Sequence, residues 1–242
     1  MKIVFVGPTV PDAATLVGDA LVVRPPATQG DILRAAYDGA TAIGLIDGNF
    51  EYVAPVWHKE ILFALSQGVA VLGAASMGAL RAAECAAFGM VGIGDIFRRC
   101  MADETADDSE VALLHAPAEL GYAALTVPLV NLRATLRHLA EQNRLTASDA
   151  ADIAAVAEGL FYKGRTWNAI LGRAGLSPRI DAAMLCTEYV DQKRIDALEL
   201  IDTLRRMLAE RRAPPQEWTF NATSLWVTML SQLPVTDEKA DV

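Results

Sequence analysis

GVAVLGAASMGALRAAE, residues 68–84, is the stretch that decides the fold. Its apolar run at residues 69–72 has the length of a strand, small residues follow, and helical periodicity begins at Met77. The stretch therefore predicts a strand that passes through a tight turn into a helix, with Ser76 at the junction. The free N–H groups and positive dipole of a helix start favour negative charge at such a place.

Ser76 has two interpretations. Residues 74–78 follow the G-x-S-x-G pattern of a nucleophile elbow, with Ala74 in place of the first glycine. Serine is also a preferred N-cap residue, so the same hydroxyl can instead serve to begin the helix. Arg81 and Glu84 follow on this helix, where they either pair with each other or face a cleft.

The first hundred residues alternate between strand and helix patterns. Apolar runs that predict buried strands lie at residues 2–6, 20–24, 40–46 and 69–72, and helical patterns follow at about 28–37, 56–66 and 77 onward. This alternation is typical of βα units on a parallel sheet. Residues 1–100 thus predict a Rossmann-like α/β half, whose functional groups would gather beyond the carboxyl ends of the strands. Three glycines at residues 89–94 predict a loop.

The second half, residues 101–235, predicts mostly helices packed on the first half as one compact unit. Thr146 and Asp149 form a capping box before one helix, and a long amphipathic helix is predicted from Asp191 to Glu210. Residues 236–242 are charged and predict a disordered tail. The predicted fold class is therefore α/β, with a parallel sheet in the N-terminal half and a helical C-terminal half.

Composition excludes several classes of function. A net charge of −9 argues against sequence-independent binding of nucleic acid, which needs Lys and Arg to neutralise phosphates. Three scattered cysteines and the lack of a signal-like or membrane-spanning start predict a cytoplasmic protein without a disulfide framework or thiolate metal site. The chain has no G-x-G-x-x-G or Walker pattern, and we expect no cofactor, no metal and no membrane contact.

Six blocks in order resemble the TfuA-like core family. They are PPATQGDI at 25–32, GLIDGNFE at 44–51, VWHKEILFAL at 56–65, GAASMGALRAAE at 73–84, LFYKGRTW at 160–167 and VDQKRIDAL at 190–198. The resemblance covers about residues 2–200. Proteins of this family accompany YcaO enzymes in the thioamidation of peptide backbones.

The resemblance implies a function in sulfur transfer. A YcaO-type enzyme uses ATP to phosphorylate an amide oxygen of a precursor peptide, and a sulfur nucleophile then displaces the phosphate. A TfuA-like partner is implied to hydrolyse a thiocarboxylated ubiquitin-like sulfur carrier at a Ser/Lys pair and so deliver sulfide. The alternative is a non-catalytic partner that binds YcaO and raises its affinity for the peptide.

A Ser/Lys pair requires a lysine with a lowered pKa, and two lysines are candidates. Lys59 stands at a predicted helix start near the edge of the sheet that carries Ser76. Lys163 stands beside Arg165, whose fixed charge is expected to lower the lysine's pKa.

Other residues have predicted supporting roles. Asp47, at a strand end, is expected to orient the lysine or His58, although Asp-Gly is also an ordinary turn. The N–H groups of Met77 and Gly78 are expected to form an oxyanion hole. The remaining predicted binding residues, expected to hold the acyl group or to face the cleft, are Arg81, Glu84 and Arg165.

Overall fold

The computed structural model describes residues 1–49, 51–103 and 107–232. In these ranges five parallel strands form one sheet in the order β2-β1-β3-β4-β5. The strands are β1 (Lys2–Phe5), β2 (Val22–Arg24), β3 (Ala42–Leu45), β4 (Ala70–Ala74) and β5 (Val91–Ile93). Leu45 is in register with Phe5 on one side and with Gly73 on the other, so the ends of β1, β3 and β4 meet at one edge.

Helices connect and follow these strands. They are α1 (Ala13–Val17), α2 (Asp31–Tyr37), α3 (His58–Ser66), α4 (Met77–Cys85), α5 (Gly94–Ala102), α6 (Asp108–Val111), α7 (Leu129–Glu141), α8 (Ala147–Glu158), α9 (Trp167–Arg173), α10 (Ala182–Thr187), α11 (Gln192–Arg206) and α12 (Ser224–Gln232). The α/β class with a parallel sheet in the N-terminal half is confirmed.

Helices cover the sheet on both faces. On one face, α2, α3 and α4 bury apolar side chains against the strands, including Ile32, Ile61 and Met77. On the other face, α1 and α11 do the same, with Leu200 and Leu204 of α11 in the centre. A separate apolar cluster is formed by side chains of α7, α8, α9 and α10. Thus the last long helix of the second half provides one face of the first half's core.

The predicted elements agree with the structure in most places. Thr146 Oγ1 accepts a hydrogen bond from Asp149 N (3.0 Å), which confirms the cap of α8. The long helix begins after Asp191, as expected, but ends at Arg206 rather than Glu210. The loop expected at residues 89–94 is wrong, because β5 pairs with β4 there. The tail expected at residues 236–242 lies outside the described residues.

The described helices are not of the kind that spans a bilayer: none of them combines sufficient length with sufficient apolar character.

Candidate functional site

The turn between β4 and α4 is tight and strained. Ala75 has φ of 67°, in the left-handed region that L-residues other than Asn and Asp rarely adopt. Ser76 N donates to Ala74 O (2.8 Å), two residues back, which closes a γ-turn around Ala75. A Cβ at Gly73 would lie 2.0 Å from Gly78 O, so the glycines let strand and helix approach closely. Such strain is typical of functional turns.

Ser76 does not cap the helix with its side chain. It occupies the N-cap position of α4, yet its hydroxyl accepts no capping hydrogen bond. An N-cap residue stabilises a helix start through its side-chain oxygen. Ser76 has the N-cap position without that hydrogen bond, so the prediction that its hydroxyl caps the helix is wrong. Ser76 is 6% exposed and lies beyond the carboxyl end of β4, where a nucleophile elbow holds its serine.

One of the two expected oxyanion donors is occupied. Gly78 N donates to Ile46 O (3.1 Å), so this N–H is not free to bind a developing negative charge, and the prediction for Gly78 is wrong. The bond instead ties the first turn of α4 to the end of β3. A Cβ at Gly78 would lie 1.8 Å from Leu45 O, which shows how closely the two segments pack. The role of the Met77 N–H stays a prediction.

Asp47 supports the loop after β1. Its buried carboxylate accepts hydrogen bonds from Gly7 N (2.9 Å), Thr9 N (3.0 Å) and Thr9 Oγ1 (2.6 Å). Through these bonds the Asp47 carboxylate, which follows β3, holds the loop after β1. The expectation that Asp47 orients His58, Lys59 or Lys163 is wrong, because its partners lie in the other loop.

Lys163 does not have the surroundings of a base, whereas the role of Lys59 as base stays a prediction. Lys163 Nζ donates to Glu51 Oε1 (2.6 Å) and to the Tyr52 hydroxyl (2.7 Å). Hydrogen bonds to Glu51 and Tyr52 raise the pKa of Lys163, contrary to the expected lowering. Lys59 Nζ lies over the ring of Phe220, 5.2 Å from its centroid, in contact with the C-terminal segment.

Arg165, expected to lower the pKa of Lys163 and to hold an acyl group, is buried and does neither. Its Nε donates to the carbonyls of Ala157 (3.1 Å) and Leu160 (2.9 Å), and its Nη1 donates to Ser109 O (2.5 Å). The guanidinium therefore joins α8 to the start of α6. The prediction of a cleft residue is wrong here, because these carbonyls hold the side chain in the interior.

His58, Arg81 and Glu84 form one cluster on the outer side of α4. Glu84 Oε2 lies 2.7 Å from His58 Nε2 and accepts from Arg81 Nη1 (2.6 Å). Although burial opposes it, the bond from His58 and the charge of Arg81 lower the pKa of Glu84. The pairing of Arg81 with Glu84 is confirmed. His58 and Arg81 also line a cavity of about 600 Å³ against α12, and Ser76 is not among its lining residues.

A third lysine, not singled out by the sequence analysis, lies deep in the protein. Lys193, in the first turn of α11, is 2% exposed, and its Nζ donates to Val111 O (3.0 Å). Burial lowers the pKa of Lys193, although the charges of Asp47 and Asp191 oppose this. A buried lysine of this kind is held closer to its neutral, basic form than an exposed one.

Two observations relate Lys193 to the part of the fold that carries Ser76. It lies close enough to Asp47 for that charge to act on it, and Asp47 follows β3, the neighbour of β4. Its acceptor, Val111, packs against Ala79 and Leu80 in the first turn of α4. Lys193 N also donates to Asn131 Oδ1 (3.0 Å), which holds the start of α11 against α7.

One sequence signal points to Lys193. It precedes Ala197, Leu200 and Leu204 on the apolar stripe of α11, at helical spacing, so the pattern places a lysine on the buried face. Lysine is almost never fully buried without a partner or a role. In the described ranges, no group of three or more His, Cys, Asp or Glu side chains is arranged to hold a metal ion.

Comparison with known proteins agrees with the resemblance seen in the sequence. Residues 47–166 match the family model described as TfuA-like protein. The chain belongs to the TfuA-like family. The matched segment of this TfuA-like chain contains Ser76 and ends before Lys193. A search of curated proteins finds no match.

Proposed function

We propose that this TfuA-like protein hydrolyses the thiocarboxylated C-terminus of a ubiquitin-like sulfur carrier and delivers hydrosulfide to a YcaO-type enzyme, which thioamidates a precursor peptide. The observation that carries the proposal is the uncapped hydroxyl of Ser76 in a strained turn; beside it we set the buried Lys193, whose acceptor Val111 belongs to the same apolar cluster as the first turn of α4. A serine nucleophile requires a nearby base, and a desolvated lysine can act as one.

The reaction has two steps. Ser76 Oγ attacks the carbonyl carbon of the thiocarboxylate while the neutral Lys193 amine takes the hydroxyl proton. The C–S bond then breaks, the sulfur leaves with that proton as hydrosulfide, and an ester between the carrier and Ser76 remains. Water, deprotonated by the same amine, attacks the ester; the C–O bond to Ser76 breaks, Ser76 Oγ takes the proton back from Lys193, and the carrier leaves as a carboxylate, its acid proton passing to solvent. Met77 N–H is the proposed donor to the negatively charged oxygen in each step.

Lys193 reaches Ser76 by a local change in this mechanism. In the present conformation its Nζ is hydrogen-bonded to Val111 O rather than to the serine. Catalytic hydrogen bonds often form only when substrate is bound. Its main chain is held by Asn131, so we expect the flexible four-carbon side chain to move while the helix stays in place.

The test is hydrosulfide release from a purified thiocarboxylated ubiquitin-like protein. We expect Ser76→Ala to abolish release and Lys193→Met to reduce it at least about 100-fold, since general base catalysis commonly contributes this much. Ser177→Ala is the matched control, because Ser177 is exposed and distant in the chain from the elbow. Lys59→Ala and Lys163→Ala are expected to retain release.

Two outcomes would contradict this proposal. Full release by folded Ser76→Ala would remove the serine from the mechanism, and full release by folded Lys193→Met would remove this lysine as base. Far-ultraviolet circular dichroism of each variant shows whether a loss reflects misfolding.

A second candidate function is that of a non-catalytic partner that binds a YcaO enzyme and raises its affinity for the peptide. The observation in its favour is a set of strongly exposed apolar side chains in the described part of the chain. They include Tyr52 (81% exposed), Leu120 (69%) and Phe161 (65%). If wild type releases no hydrosulfide, yet Tyr52→Ser weakens YcaO binding, this function is the better account.

A further inference from the structure

A groove between α5 and α7 gathers positive charge in a protein whose net charge is −9. The groove has a volume of about 340 Å³. Three arginines line it, Arg99 from α5 and Arg133 and Arg137 from α7, and Gln192 of α11 also contributes. Its apolar lining residues are Ile96, Val130 and Ala134. A groove with convergent polar groups over an apolar surface is the usual form of a small-ligand site.

The two carboxylates of Glu110 and Glu158, near the groove, are hydrogen-bonded to Arg133. Arg133 Nη1 donates to both oxygens of Glu110 (2.6 and 2.5 Å), and Arg133 Nη2 donates to Glu158 (2.7 Å). Arg99 Nε lies 3.4 Å from Glu110 Oε2 without a hydrogen bond to it. That nitrogen is buried and has no hydrogen-bond partner in the described part of the chain. Such orphaned donors are uncommon in folded proteins.

Arg137 adds a charge that no carboxylate balances. It lies one turn after Arg133, on the same side of α7, and is exposed. Within residues 1–49, 51–103 and 107–232 its side chain makes no hydrogen bond and no ion pair. Asp95, the acidic residue among the described lining residues of the groove, is ion-paired with Arg98. The groove thus has more guanidinium donors than carboxylate acceptors.

We propose that this groove binds a phosphate-class oxyanion, either free phosphate or a phosphate monoester. The planar guanidinium fork matches the oxygens of phosphate and donates charge-assisted hydrogen bonds to it. Arg137 is the free cation that the anion pairs with, and Arg99 is the neighbour whose side chain completes the site. The apolar lining accommodates the organic part of a monoester.

The test is isothermal titration calorimetry on the full chain with inorganic phosphate and with phenyl phosphate, each against acetate at the same ionic strength. We expect saturable binding of the phosphates and about tenfold weaker binding by Arg137→Gln, since a charge-assisted hydrogen bond contributes about that much. Arg173→Gln is the matched control, because Arg173 is an exposed helical arginine without an ion pair in the described ranges. Tighter binding of phenyl phosphate than of phosphate identifies a monoester as the ligand.

Equal affinity in Arg137→Gln and Arg173→Gln would overturn the proposal, as would acetate binding as well as phosphate does. A second readout uses the Nε–H signals of the arginines in nuclear magnetic resonance spectra. The Arg99 signal is expected to shift with phosphate in wild type, and a constant signal would count against the site. Binding is expected to be unchanged in Ser76→Ala, so this proposal stands or fails independently of the proposed hydrolysis.

Discussion

Replacing Gly78 by alanine tests the close packing of α4 on the end of β3. The new Cβ would lie 1.8 Å from Leu45 O and 2.6 Å from Leu45 C, and both atoms belong to the backbone of a central strand. The helix start must therefore move away by more than 1 Å, roughly the difference from an ordinary van der Waals contact. This movement breaks the bond from Gly78 N to Ile46 O, which contributes about 1 kcal/mol. Overpacking adds about 1–3 kcal/mol.

We thus expect Gly78→Ala to lower the free energy of unfolding by about 2–4 kcal/mol, measured by urea denaturation. Hydrosulfide release should fall as well, because Ser76 moves with the helix. Gly159→Ala is the matched control: a Cβ there would meet nothing closer than Val156 O at 3.7 Å. If Gly78→Ala is no less stable than Gly159→Ala, the packing argument is refuted.

Four further predictions concern the turn, the buried lysine and a helix cap. Ala75→Gly should raise the free energy of unfolding by about 1 kcal/mol in urea denaturation, because glycine adopts its positive φ without strain; lower stability would contradict this. Hydrosulfide release should rise with pH as Lys193 loses its proton, with a midpoint below 10.4, the usual lysine pKa, since burial lowers it. The free energy of unfolding should also rise with pH between the lowered pKa of Lys193 in the folded protein and the ordinary lysine pKa of the unfolded chain. In that pH range the unfolded chain binds more protons than the folded protein, and Lys193→Met should remove the rise. Thr146→Ala should lower stability by about 1 kcal/mol through loss of the α8 cap, and an unchanged urea midpoint would argue against the cap.

The sheet was predictable because its strands are short apolar runs separated by helices and turns. β5 was missed because it has three residues and Gly92 in its centre, within a glycine-rich segment. Packing explains the glycine at position 92, because a Cβ there would lie 2.0 Å from the ring of Phe97. The sequence alone does not show this contact. Pairing with β4, and not local preference, makes this segment a strand.

The candidate site was predictable only in part. Ser76 was found because the elbow is a local pattern. The lysine depends on packing between distant segments: Lys193 bonds to the carbonyl of Val111, 82 positions earlier in the chain. Local neighbours were misleading for Lys163, since Arg165 turns into the interior, while a hydrogen bond to Glu51, far away in sequence, raises the pKa of Lys163.

α11 has a consequence for any shortened form of the protein. The matched family segment, residues 47–166, excludes the strands β1, β2 and β3, and it excludes the helix whose Leu200 and Leu204 cover one face. A fragment with those bounds would leave β4 and β5 without that cover and would lack Lys193. Expression of residues 47–166 alone should therefore yield an aggregating chain, because the sheet is completed and covered by segments on both sides of that range.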